Sequence, residues 1–483
     1  MNVLINKYKN LSGTVRASFW FLVATFFQRG ISVITTPIFT RLMSTAEYGQ
    51  YNVFLSWMDI FTIFVSLKLY AGVFSAGYVK FEENRNKFAA SLQGLCFTLT
   101  LIWVVIYIVF KDIFNQMTSL STVQTFAMFS MIWTTSIFSF WSVEQRTDNK
   151  YIQLIVVTII VSVLKPLLGI ILVTNTDDKV TSRILGLAVV EFIVYIALFI
   201  RDIYKGKTFF DKKYWLYALG FNIPLIPHYL SMAILNSSDR IMIKKLVGKS
   251  AAGIYGLAYS ISMIMTLFNT ALIQTLEPWI FKKIKNKATR DIGKVVYMAM
   301  AIIAIVNIIL IAFAPEAVRI FAPKEYYDAI WVIPPVAMSV FFMFSYSMFA
   351  TFEFYYEKKK YISISTLCGA LVNIVLNYIF IKIFGYIAAG YTTLVCYMIY
   401  ALLHYFVMRK VCKEELKEKV FDEKMLMLIS GTFLGLGFIL LITYNSIYVR
   451  YSIIVLLIIV TICNYKRIRN VIKMMIETKK EKQ

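Results

Sequence analysis

The sequence predicts an all-α polytopic membrane protein with about 14 transmembrane helices. Three observations lead there. Apolar residues make up 59% of the 483 and charged residues 16%, against roughly 45–50% and about 25% in soluble domains. A soluble fold cannot hide that surplus, whereas a bilayer accepts it. The apolar residues also fall into windows of about 20, the length a helix needs to cross the hydrocarbon. Lastly, Lys and Arg concentrate in alternate connecting segments, as cytoplasmic loops do.

In order, the windows are residues 15–40, 51–78, 88–110, 122–143, 151–174, 183–203, 215–238, 253–276, 291–313, 326–352, 362–384, 386–408, 425–444 and 448–465. Lys7 and Lys9 precede the first. That run is long and lacks a small-residue cleavage pattern, so it reads as an uncleaved span rather than a signal peptide. The fifth contains Lys165-Pro166 and the seventh contains Pro224 and Pro227. Proline removes a helical hydrogen bond and bends the helix at such points. The eleventh and twelfth are separated by little more than Gly385, and a cationic tail from Lys466 to Lys482 follows the last.

With the N-terminus in the cytoplasm, the inside segments hold 34 Lys and Arg, the outside loops 11 and the spans 5. That bias fits both termini inside and an even number of helices. The net charge of +23 is therefore largely topological and requires no nucleic acid. The loops are too short for a globular domain. The outside ones offer only scattered carboxylates at Glu47, Asp177, Asp178, Glu316 and Glu325, which argues against a membrane glycosyltransferase or polymerase. No phosphate-binding G-x-x-x-x-G-K-[ST] loop occurs. The five cysteines form no CxxC and read as small buried hydrophobes, while two isolated histidines are too few for a metal site. No enzyme activity and no cofactor are expected.

The chain repeats itself. Span 1 exits through Arg41-Leu42-Met43 and leads to Gly49-Gln50-Tyr51, and span 7 exits through Arg240-Ile241-Met242 and leads to Gly253-Ile254-Tyr255. Two six-helix lobes in the same membrane orientation follow, residues 1–205 and 206–410. Two extra helices and the basic tail occupy 411–483. Parallel repeats of this kind place a binding site between the copies.

The segment Pro37-Ile38-Phe39-Thr40-Arg41-Leu42-Met43-Ser44-Thr45-Ala46-Glu47-Tyr48-Gly49-Gln50-Tyr51 resembles the Wzx-type polysaccharide flippases of the MOP superfamily. Ser238-Asp239-Arg240 with Gly253-Ile254-Tyr255, and Phe384-Gly385-Tyr386-Ile387-Ala388-Ala389-Gly390, extend the likeness. The resemblance implies two lobes facing a central cavity in the bacterial cytoplasmic (inner) membrane. It implies transfer of undecaprenyl-pyrophosphate-linked repeat units of O-antigen, capsule or a related surface polysaccharide to the outer leaflet by alternating access. A polysaccharide polymerase is the expected partner. A lipid II flippase and a cation-coupled multidrug antiporter of the same superfamily are the alternatives.

Charges within spans are expensive and usually face a cavity or a partner. Arg29, Lys68, Lys165 and Arg16 are the candidate cations for a pyrophosphate, which guanidinium can hold bidentately. Arg29 is the leading candidate, with an Arg29–Asp59 structural pair as the competing role. Asp59 and Glu191 are candidates for coupling H+ or Na+, and Glu191 also for pairing with Lys165. Arg41, Asp239 and Arg240 are gate candidates. The latter two are expected to end span 7 and pair locally. Pro224 and Pro227 are hinge candidates. His228 is expected to be a hydrogen-bonded core residue, and Asn373 and Asn377, one turn apart, to hydrogen-bond between helices.

The charge asymmetry makes a direct prediction. Alkaline phosphatase fused within 144–150 is expected to be inactive, and fused within 175–178 active. The reverse pattern would invert the topology.

Overall fold

The structure is a computed structural model that describes residues 13–463, and every regular element within them is helical. Lys7, Lys9 and the basic tail lie outside the described residues. Helices α1 (Gly13–Leu42), α2 (Thr45–Val65) and α3 (Val73–Lys80) are followed by α4 (Arg85–Val109), α5 (Lys111–Thr118) and α6 (Thr122–Thr147). Next come α7 (Tyr151–Thr174), α8 (Lys179–Gly206), α9 (Lys212–Asn222) and α10 (Ile226–Leu246). Then α11 (Lys249–Ser262), α12 (Thr266–Lys285), α13 (Ile292–Ala312), α14 (Ala314–Phe321) and α15 (Ile333–Tyr355). The chain closes with α16 (Lys359–Phe384), α17 (Ala388–Val411), α18 (Glu423–Ile442) and α19 (Ile447–Cys463). Among the described residues, 11 helical stretches are long and apolar enough to cross a membrane.

By packing, the chain divides into two compact units, residues 1–244 and 245–483. In the first, Phe74, Phe88 and Phe140 form a buried aromatic core, with Phe74 and Phe140 ring centroids 4.7 Å apart. Ser44 and Glu47 cap α2 reciprocally: the Ser44 hydroxyl accepts from Glu47 N at 3.3 Å, and Glu47 accepts from Ser44 N at 2.7 Å. This is a capping box, which settles two of the helix's unmet amides. Asp211 caps α9, and its hydrogen bond from Lys87 holds its carboxyl below the usual carboxylate range. Arg201 stands between Glu144 on α6 (2.8 Å) and Asp202 on α8 (2.7 Å).

Helices α7 and α8 meet backbone to backbone. A Cβ at Gly186 would lie 2.6 Å from Gly169 Cα, the close approach that small residues allow between membrane helices. The same α8 clamps the α1–α2 corner. Lys179 Nζ donates to the carbonyl of Leu42 at 2.9 Å. Arg183, expected in an outside loop, is instead a buried residue of α8. Its guanidinium lies 3.6 Å from the Tyr51 ring centroid and 4.0 Å from that of Phe39. Stacking on aromatic faces is what a weakly hydrated guanidinium tolerates best on burial.

Three spans expected to be single helices are interrupted. Span 2 stops at Val65 and resumes at Val73, and span 7 is broken by the 3-10 turn Ile223–Leu225. Span 8 is broken at Met263–Met265. The span 7 break follows from its prolines, since Pro224 lies in the turn and Pro227 in the first turn of α10. The Arg-[Leu/Ile]-Met exits also differ. Arg41 lies at the end of α1, whereas α10 continues past Asp239 and Arg240 to Leu246. The expectation that Asp239 and Arg240 end the helix is therefore corrected.

In the second unit, Phe341 on α15 packs on Phe433 of α18 at 4.5 Å within one apolar core. Asn377 donates to Asn373 at 3.2 Å and accepts from Thr392 of α17, so the asparagine pair does join α16 to α17. Arg450 and Tyr451 of α19 both meet Glu316 of α14. Cys96, Cys396 and Cys412 are buried as expected, while Cys368 is exposed.

The α7–α8 seam makes Gly186→Leu destabilising by overpacking, by about 1–3 kcal/mol. The expected result is a lower melting temperature in detergent. Gly435→Ala, where a Cβ meets open space, is the control and leaves the melting temperature in place.

Candidate functional site

The first unit holds a cavity of about 290 Å³ whose polar lining includes Asp59, Thr62, Lys68, Thr135, Ser136 and Asn236. These come from α2, the turn after it, α6 and α10.

Lys68 reaches the cavity because span 2 breaks there. Leu67 and Lys68 both have positive φ, 49° and 47°. Each such non-glycine residue costs about 1–3 kcal/mol and persists only where the surroundings dictate it. Here the dictating group is Asn222. Its buried amide donates to the carbonyls of Leu67 (2.8 Å) and Lys68 (3.0 Å). The Ser66 hydroxyl accepts from Lys68 N at 3.2 Å, and Trp103 Nε1 donates to the Phe64 carbonyl at 3.1 Å. The backbone groups freed by the break are thus met by side chains, as an apolar environment requires. The Lys68 ammonium lies 5.3 Å from the Tyr229 ring centroid, a cation–π distance.

Asp59 faces the same cavity, and its carboxylate accepts from the Ser237 hydroxyl of α10 at 2.8 Å. Thr135 connects the cavity to a second charged pair. It lines the cavity and also donates to Glu191 at 3.1 Å. Glu191 is buried, accepts from Thr134 as well at 3.1 Å, and forms an ion pair with Lys165. The Lys165–Glu191 pair expected from sequence is therefore present, and Lys165 is held rather than free to bind. The cavity's own charges and this pair balance, with two cations and two anions.

The remaining candidates lie elsewhere. Arg29 is on an exposed face of α1, outside the cavity lining. The backbone of Arg16 is on α1, and its side chain falls outside the described residues. Arg41 donates to the Pro37 carbonyl at 2.8 Å, and Arg240 donates likewise to the Asn236 carbonyl. The two arginines of the repeat thus make the same bond to the carbonyl four residues earlier. Asp239 is buried. His228 is half-buried, with its ring against Tyr229 at 5.9 Å.

Sequence reasoning missed Asn222 and Ser237. A polar residue just ahead of a proline-rich break was the available signal for Asn222.

A family profile described as polysaccharide biosynthesis protein matches residues 14–284, and one described as MatE matches 224–379. No curated protein matches the sequence. Among solved structures, the lipid II flippase MurJ in its inward closed conformation superposes with TM-score 0.69 at 18% identity. That alignment covers 92% of this chain and 99% of MurJ. An inward-facing multidrug resistance MATE family transporter of the MOP superfamily gives 0.60 at 15% identity, covering 83% and 99%. A MOP superfamily transporter from Pyrococcus furiosus, whose binding pocket has reversed polarity, gives 0.57 at 14%, covering 84% and 96%. The chain belongs to the polysaccharide biosynthesis protein family and carries the fold of MOP superfamily transporters.

Proposed function

We propose that this protein is a flippase for undecaprenyl-pyrophosphate-linked oligosaccharide repeat units, moving them from the inner to the outer leaflet of the bacterial cytoplasmic membrane. The observation that carries this reading is the polar cavity lined between Met58 and Asn236, which lies wholly within the stretch matched by the polysaccharide biosynthesis profile. A cation presented from a broken helix suits a pyrophosphate. Lys68 would meet the phosphate oxygens, with Thr62, Thr135 and Asn236 as hydrogen-bonding groups around it. Arg29, exposed on α1, would attract the headgroup before it reaches the cavity, and Arg16 would act nearer the helix start. The Lys165–Glu191 pair holds α7 to α8 and keeps the polar wall in place. Asp59 would balance Lys68 while no anion is bound.

Movement is assigned to alternating access of two lobes, 1–205 and 206–410, with 411–483 appended. Helices α9 and α10 with Pro224 and Pro227 are the hinge, and Arg41, Asp239 and Arg240 the gate positions. Adding α1, α2 and α19 to the apolar stretches gives 14 crossings, with both termini cytoplasmic. Product on the outer leaflet would pass to a polysaccharide polymerase.

A second reading, lipid II as substrate, is favoured by the likeness to MurJ. It shares the polyprenyl-pyrophosphate chemistry and differs in the sugar. Deleting the gene separates the two. Accumulation of a repeat unit in the cytoplasmic leaflet with loss of surface polymer supports the first. Accumulation of peptidoglycan precursor supports the second. A change in drug susceptibility alone would point to an antiporter.

Lys68→Ala removes a charge-assisted contact worth about 1.5–3 kcal/mol, and is expected to weaken glycolipid binding roughly tenfold to a hundredfold. Lys68→Arg is expected to retain part of it. Arg29→Ala is expected to slow export while the protein inserts at normal levels, and Arg29→Lys to keep most of the rate. Export assays alongside membrane protein levels check both. Normal export by either alanine variant would remove that residue from the pathway.

A further inference from the structure

The second unit contains a buried acid–base pair that the proposed transport pathway does not use. Glu353 near the end of α15 and His404 of α17 are 0% and 1% exposed, and His404 Nδ1 lies 2.8 Å from Glu353 Oε1. Among the described residues, Glu353 Oε2 and His404 Nε2 have no hydrogen-bond partner. Buried polar atoms are almost always satisfied, so two unmet atoms on one pair call for a functional account. The contrast with Glu191 is instructive. That carboxylate is met by Lys165, Thr134 and Thr135, and so acts as a lock with no vacant valence.

We propose that Glu353 and His404 form a proton-binding site within the second unit, and that its loading and unloading couples a proton gradient to transport. This rests on the flippase reading above. With both ring nitrogens protonated and the carboxylate ionised, the pair is neutral overall. Loss of one proton leaves a neutral imidazole beside a carboxylate, and the site carries one negative charge. A net charge in a sealed apolar site is costly. The pair therefore exchanges its proton when water reaches it, rather than while α15 and α17 stay packed. That ties proton release to opening between these two helices, which is the coupling an exchanger needs. Histidine is suited to the task because its ordinary range lies between about pH 5 and 8.

The surroundings leave the pair as the proton carrier. Rings of Tyr400 and Tyr346 lie 4.5 and 5.6 Å from that of His404, and phenols stay protonated in this range. The Tyr400 hydroxyl is joined to Thr366 of α16 at 3.1 Å. Two charge pairs on neighbouring elements are engaged at the helix ends. Lys358 meets Glu415 at 2.8 Å, and Arg409 meets Glu423 of α18 at 3.0 Å. On α13, Tyr297 donates to the Asp422 carbonyl at 3.4 Å. Glu277 of α12 is half-buried.

The chain has two histidines, so His228→Gln leaves His404 as the sole signal in full-length protein labelled with nitrogen-15 histidine in nanodiscs. The expected result is a single ring protonation change along a pH series, altered in Glu353→Gln. A ring that never changes state would overturn the site. In proteoliposomes, a radiolabelled undecaprenyl-pyrophosphate disaccharide tests the coupling. One pH unit acting on one proton shifts its steady-state leaflet ratio about tenfold. Glu353→Gln is expected to lose that dependence. A Glu353→Gln, His404→Gln double variant, whose amides can bond one another, controls for folding by its melting temperature. Transport by the wild type that ignores the gradient would overturn the coupling. No transport of this lipid by the wild type would instead defeat the flippase reading, and the ring titration alone would then decide the proton site.

Discussion

A helix that stops inside an apolar medium leaves carbonyls and amides that water cannot reach, and each must find a partner within the protein. The chain interrupts three of its long helices, at Ser66–Gly72, Ile223–Leu225 and Met263–Met265. At the first, Asn222, Ser66 and Trp103 meet the backbone groups that the break frees. Satisfying that break is what turns Lys68 toward the cavity. The second break supplies Asn222 itself, since the side chain lies at the end of α9 just before the 3-10 turn. One interruption is thus held open by a residue positioned by another.

The charges of the first unit obey the same economy. Glu191 has three donors and Asp59 has Ser237. Arg183 is buried against aromatic faces, where its weak hydration makes desolvation tolerable. Around the cavity the charges balance locally, with two cations and two anions. The surplus positive charge expected from sequence depended on Arg29, which lies outside that lining.

The helical fold, most helix positions and the Lys165–Glu191 pair were legible in the sequence. Apolar windows mark helices well because the bilayer imposes their length. A charged pair in adjacent spans can be read because neither charge has a cheaper place to go. The bend at Pro224 and Pro227 was legible for a local reason, the missing amide. The break at Lys68 was not. No proline marks it, and its cause, Asn222, is remote in sequence. The extent of α10 past Arg240 was also hidden, because the polar residues there read as a loop. Arg183 was misassigned on the same ground: charge suggested exposure, and nothing local reveals that Phe39 and Tyr51 await it.

The contact between Gly169 and Gly186 has a mechanical consequence. Two helices joined at backbone distance cannot slide past one another without a steric collision at every intermediate step. Lys165 and Glu191 add an ion pair between those same helices, so α7 and α8 are joined by a steric stop and a charge pair. A relative shift of these two helices therefore has to break the ion pair and part the two backbones together.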